Sequence, residues 1–207
     1  MKKKILAISL VVSLVAVAAL GITLAYFTDT KAVNNTFTMG NVKITLEEIV
    51  GYGENESPII QAEGHAYPTA APGDELTKKP YVTNTGSNSA WVFLKLTLSD
   101  AAAFKALLPS LDTASGVGGV IDFNSTDWTF LSNKVEDDTR VIWIAYNTAL
   151  APTEITEAPF TTITIPSAWT NANVATLGED GFSLNVKAHA IQVENLTIDQ
   201  AFAQVNP

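Results

Sequence analysis

The sequence predicts an all-β protein, a jelly-roll-like β-sandwich with one or two short helices, preceded by an N-terminal signal peptide. Three observations predict it. Apolar residues alternate with polar ones over several stretches rich in β-branched and aromatic side chains. Clusters of Gly, Pro, Asn and Ser separate those stretches at short intervals. A charged start followed by a long uncharged run sets the first 25 or so residues apart from the rest. With 207 residues and 47% apolar content, the chain has material for one packed core.

Lys2, Lys3 and Lys4 form a positive n-region, and no charge follows from Ile5 to Thr28. Such a run suits either a secretory signal or an uncleaved anchor. Two small-x-small cleavage sites compete, Ala16-Val17-Ala18 and Thr23-Leu24-Ala25. Cutting at the first leaves Leu20, Ile22, Leu24, Tyr26 and Phe27 on an exposed tail, whereas Gly21 loosens the chain just ahead of the second. Cleavage is therefore expected between Ala25 and Tyr26, with Thr23 and Ala25 as the small residues read at the site. Removing residues 1–25 takes away three lysines and no acids, which moves the net charge from −9 to −12.

In the mature chain, Val42, Ile44 and Leu46 alternate with Lys43, Thr45 and Glu47 as a half-buried strand. Phe37 and Met39 have the opposite parity, so Gly40-Asn41 is expected to hold a bulge or turn. Residues 50–75, with four glycines and three prolines, read as a long loop with a short strand at Ile59-Ile60. Residues 76–98 read as a hairpin turning at Thr85-Gly86-Ser87-Asn88-Ser89. Ser99 caps an expected short helix carrying Phe104, Leu107 and Leu108. Val141–Tyr146, apolar throughout, has the pattern of a central strand covered on both faces. Ile163 and Ile165 mark another strand, stopped at Pro166. The last long strand starts at Phe182, with Leu184, Val186, Ala188 and Ala190 inward and a bulge expected near Ala190. Ile198, Phe202 and Val205 fit one face of a short terminal helix.

Composition excludes several classes of chemistry. The chain has no cysteine, hence no disulfide, thiolate metal site or Cys nucleophile. A pI near 4.6 and a lone arginine, Arg140, disfavour a nucleic-acid partner. A zinc protease needs a metal held by three convergent groups, yet no HExxH occurs. The two histidines are His65, in a Gly/Pro-rich loop, and His189, at the solvent-facing parity of a strand. No GxSxG elbow is present. Glu136-Asp137-Asp138 and Glu179-Asp180 depart from the calcium-loop pattern and read as solvated turn charges. Trp91, Trp128, Trp143 and Trp169 fall within apolar patterns and are assigned to packing rather than to ligand stacking. No metal or other cofactor is expected.

Three segments together resemble the TasA/camelysin family of secreted Gram-positive proteins. They are Gly21–Asp29 followed by Asn35–Gly40; Pro72-Gly-Asp-Glu-Leu-Thr-Lys78 leading to Val82-Thr-Asn-Thr-Gly-Ser87; and Ala188-His-Ala-Ile-Gln192. The first is similar to the family's signal peptide, which a dedicated SipW-type signal peptidase cuts. The resemblance implies export to the cell surface or extracellular matrix and, for TasA-like members, polymerisation into biofilm fibres with possible accessory matrix proteins. Residues 100–180 carry no motif of the family. Its camelysin branch bears a metalloprotease label, so a camelysin-like cell-surface metalloprotease is one alternative. A membrane-anchored surface adhesin or binding module is another; contact with a membrane is otherwise expected only through the uncleaved signal.

The division expected is residues 1–25 as signal peptide, 26–40 as mature N-terminal segment and 41–207 as the sandwich domain. After cleavage the aromatic, β-prone segment 26–38 has no evident place in a closed domain. It reads either as a locally packed tail or as a strand donated to a neighbouring subunit, with Phe27, Val33 and Phe37 filling pockets. A head-to-tail contact of that kind does not close and builds a homopolymer. The leading expectation is a secreted, non-enzymatic fibre subunit.

Overall fold

The alternation that marks strands in the sequence reappears as alternating burial in the computed structural model, which describes residues 41–62, 65–67, 71–98, 121–136, 139–170, 172 and 183–206. Among the described residues there are nine strands: β1 (Ile44–Tyr52), β2 (Pro58–Gln61), β3 (Glu75–Thr77), β4 (Lys79–Asn84), β5 (Ala90–Leu98), β6 (Trp128–Glu136), β7 (Thr139–Tyr146), β8 (Thr162–Thr164) and β9 (Leu184–Gln192). One helix, α1 (Ile198–Val205), closes the described chain. All strand pairs are antiparallel, in a four-stranded sheet β6-β7-β5-β9, a three-stranded sheet β2-β1-β4 and a pair β3-β8.

The main core lies where the apolar faces of these sheets meet. Val82 of β4, Leu94 and Leu96 of β5 and Ile142 and Ile144 of β7 pack there with Trp128, Phe160 and Ile163. Ile144 is fully buried, and β7 is flanked by β5 and β6, as its unbroken apolar run predicts. A second, smaller core lies on the far face of the four-stranded sheet. There α1 covers Phe93, Trp143 and Ala145 with Ala201, Phe202 and Val205. Thr197 caps α1 by accepting from the Gln200 amide, and the Gln200 side chain accepts from the Thr197 amide. Trp128, Trp143 and Trp169 are buried, so their assignment to packing holds.

Several expectations are corrected. Strands β4 and β5 do not form a hairpin; each has other partners along both edges. β4 pairs with β1 on one side, and on the other Thr83 bridges Ile155 while the Thr156 amide donates to Val82 O at 2.9 Å. β5 lies between β7 and β9, so residues 85–89 pass from one sheet to the other. The loop expected at 50–75 is shortened, because β1 continues through a bulge between Ile49 and Gly51 and turns back into β2. β9 pairs with β5 in unbroken register from Leu184 to Gln192, without the bulge expected near Ala190. The parity change there has another cause: both faces of β9 are covered, Ala188 by the main core and Ile191 by α1. The helix expected after Ser99 lies outside the described residues, as does Phe182.

Candidate assembly site

The N-x-G-S stretch after β4 spends its polar groups on holding the start of the domain. Asn84 is fully buried. Its amide nitrogen donates to Asn88 O and Leu150 O, both at 2.9 Å, and its Oδ1 accepts from the Gly86 amide at 2.9 Å. Both donors and the acceptor are thus used, which is what makes a buried Asn tolerable. The loop so fixed lies against Asn41–Lys43. The Thr85 amide donates to Lys43 O at 2.8 Å, the Ser87 amide to Asn41 O at 3.1 Å, and the Asn41 amide to Ser87 Oγ at 3.1 Å.

Gly86 is needed for that approach. A Cβ at this position would lie 2.5 Å from Asn41 O and 2.7 Å from Lys43 N, both backbone atoms that cannot rotate away. The clamp thus holds Asn41, the first described residue, against the loop.

The P-G-D stretch is also structural. Gly73 has φ +96°, a region that favours glycine, and its amide donates to Ile165 O at 2.9 Å. Asp74 Oδ2 accepts from the Ala71 amide at 2.7 Å, and Asp74 O accepts from the Ile165 amide at 2.8 Å. Lys78 follows between β3 and β4, buried, with its ammonium on both Glu48 carboxylate oxygens at 2.7 and 2.6 Å. The Tyr67 hydroxyl donates to Thr77 O beside this pair. Burial, and then the Glu48 charge, push the Tyr67 pKa up to about 12.

The histidines stand in unrelated settings. His65 is exposed and meets the Tyr67 ring edge-on at 4.7 Å between centroids. His189 is half-buried rather than plainly solvent-facing, because α1 partly covers its side of the sheet; its ring centroid lies 5.1 Å from that of Trp143. Burial, then the Lys187 and Lys95 charges, hold the His189 pKa below the usual imidazole range. Among the described residues no group of three His, Asp or Glu side chains converges as a metal site needs. These residues do not fit a catalytic zinc centre, and no catalytic step follows from them.

Among the described residues some strands have no neighbour on one side. β2, β6 and β9 end their sheets, and β2 is exposed along its whole length. Tyr52, Ile59 and Ile60 are 54%, 45% and 48% exposed on the β1–β2 hairpin. The residues expected from sequence to form the cleavage and donor sites, Thr23, Ala25, Tyr26, Phe27, Val33 and Phe37, lie outside the described residues. So do Asp137, Asp138, Glu179 and Asp180. The clamp formed by Asn41, Asn84, Gly86 and Ser87 was not expected; its signal was the N-x-G-S stretch, read as a hairpin turn.

Residues 1–99 match the family described as camelysin metallo-endopeptidase, which agrees with the TasA/camelysin resemblance read from the sequence. The match spans the first strands and both the P-G-D and N-x-G-S stretches; the closing segment at 188–192 lies beyond it. No curated protein matches the chain.

Proposed function

We propose, with the camelysin-family match of residues 1–99 as the premise, that this chain is a secreted, non-enzymatic subunit of an extracellular fibre. In this reading residues 1–25 are a signal peptide, the mature domain closes as a jelly roll, and residues 26–38 pair with an open edge of the next copy. The observation that carries it is the clamp. Loop 84–88 spends six hydrogen bonds, two of them backbone to backbone, and an obligatory glycine on holding Asn41–Lys43. A tail without a task needs no such fixed departure point, whereas a donated strand gains affinity when its root is held in place.

Among the described residues β2, β6 and β9 end their sheets, and an added strand would bond along such an edge. Phe27, Val33 and Phe37 would supply the alternate side chains that fill pockets. The partners in this reading are further copies of the chain, a SipW-type signal peptidase and accessory matrix proteins. The protein would reside at the cell surface or in the matrix.

Mass spectrometry and electron microscopy of the secreted protein test this reading. A mature chain beginning at Tyr26 that forms filaments at rising concentration supports it. A cell-bound full-length chain that stays monomeric favours the anchored adhesin instead. Stoichiometric zinc with peptidase activity would overturn it in favour of a protease.

A further inference from the structure

The four-stranded sheet and the β1–β2 hairpin carry charge of opposite sign. β5, β7 and β9 contain no acidic residue, and with β6 the four-stranded sheet carries Lys95, Lys134, Lys187 and Arg140 against Glu136 alone. The β1–β2 hairpin, residues 44–61, carries Glu47, Glu48, Glu54 and Glu56 and no Lys or Arg. In a chain with 21 acidic and 12 basic residues, the four-stranded sheet is a local reversal of sign.

Three of its lysines share the face that α1 partly covers. The register sets Lys95 directly opposite Lys187 on one side and Trp143 on the other, with Lys134 opposite Val141. The Lys95 ammonium stands 5.7 Å from the Trp143 ring centroid. Like charges directly opposite across an antiparallel pair destabilise it. Among the described residues, the ion pair formed is that of Lys78 with Glu48, and none of these three lysines is paired. His189 Nε2 is buried at the same place without a hydrogen-bond partner. The fold therefore keeps a lysine row that local energetics disfavours, which is the mark of a site kept for a ligand of opposite charge.

The hairpin is the complementary surface. Its tip, Glu54–Glu56, is exposed beside Tyr52, Ile59 and Ile60. Exposed apolar side chains gathered at an open strand edge mark a contact surface.

We propose that the acidic β1–β2 hairpin of one copy docks on the Lys95–Lys187 row of the next. Glu54 and Glu56 meet the two ammonium groups, while the apolar side chains of the hairpin lie along the lysine stems. The two surfaces are different patches, so the contact is heterologous and repeats without closing. It is a contact separate from N-terminal strand donation, and its test does not depend on filaments.

The chain has no cysteine, so single introduced thiols report on contact between copies. Secreted protein carrying Ser57→Cys is mixed under mild oxidation with differently tagged protein carrying Asn185→Cys, both exposed positions beside the charged residues. The expected result is several-fold more mixed disulfide than from Ser57→Cys with Ser125→Cys. The excess should vanish at about 0.5 M salt, where charges a few ångströms apart at a surface are screened. It should fall to the control level in K95E/K187E and return when that protein meets a hairpin carrying E54K/E56K. A control-level yield for the unmodified charges, or a yield indifferent to charge reversal, overturns the proposal. Retention of polyphosphate by the unmodified sheet, with mixed disulfide at the control level, also overturns it and assigns the row to a polyanion.

Discussion

Replacing Gly86 by alanine isolates the clamp. Ordinary contact for a Cβ begins near 3.4 Å, so relief of the 2.5 and 2.7 Å approaches requires the Asn41–Lys43 backbone to recede by about 0.7–0.9 Å. The Thr85 N–Lys43 O and Ser87 N–Asn41 O bonds, at 2.8 and 3.1 Å, do not survive that displacement. Two lost bonds at roughly 0.5–1.5 kcal/mol each, with residual overpacking, give a destabilisation of about 2–4 kcal/mol. At roughly 2–4 °C per kcal/mol for a domain of this size, the melting temperature falls by about 5–15 °C. Gly51→Ala serves as the control, since its Cβ would meet only Ile59 Cδ1 at 3.8 Å. Urea denaturation and amide hydrogen exchange are the assays. Wild-type protection at the Thr85 and Ser87 amides together with a wild-type midpoint in Gly86→Ala would refute the steric argument.

Ile144→Asp places an unpaired carboxylate in the fully buried centre of β7, at a cost of several kcal/mol, comparable with the whole stability of a domain. No soluble domain is expected, and a variant unfolding at the wild-type midpoint would contradict the placement of β7. Glu48→Gln leaves the Lys78 ammonium buried without its carboxylate, so a loss on the order of 3 kcal/mol is expected in chemical denaturation. The same change removes a charge that raises the Tyr67 pKa, so Tyr67 should ionise at lower pH than its native value of about 12 in an ultraviolet titration. In the unaltered protein the folded-state pKa of Tyr67 exceeds the unfolded value near 10. The folded state then holds the proton longer, and this contribution to stability is complete below about pH 10 and lost as pH rises toward 12.

Strand positions were legible where burial is regular. Val141–Tyr146 of β7 is apolar throughout, and α1 shows its apolar face at Ile198, Phe202 and Val205. Pairing was not legible, because it depends on contacts distant in sequence. Residues 85–89 have every feature of a hairpin turn, yet Asn84 reaches Leu150 and Ser87 reaches Asn41. β6 is hidden in the sequence because a register shift between Phe130 and Ser132 breaks its alternation. Gly51 looks like loop in the sequence, where the structure has a bulge inside β1. At β9, Ile191 looked like a slip in parity until α1 supplied a second buried face. The clamp was half legible: the N-x-G-S residues stood out, and their partner strand did not.

In the function proposed above, residues 26–37 carry the contact between subunits, and the clamp holds the chain just after them. Deleting Tyr26–Phe37 while keeping the signal, its cleavage site and Asn41 onward tests it most directly, with secreted filaments measured by electron microscopy. The deleted segment added to the intact protein as a peptide serves as competitor. The expected result is a secreted, folded monomer from the deletion and shortened filaments under the peptide. Filaments of normal length from the truncated protein would contradict it and move the interface onto the domain itself.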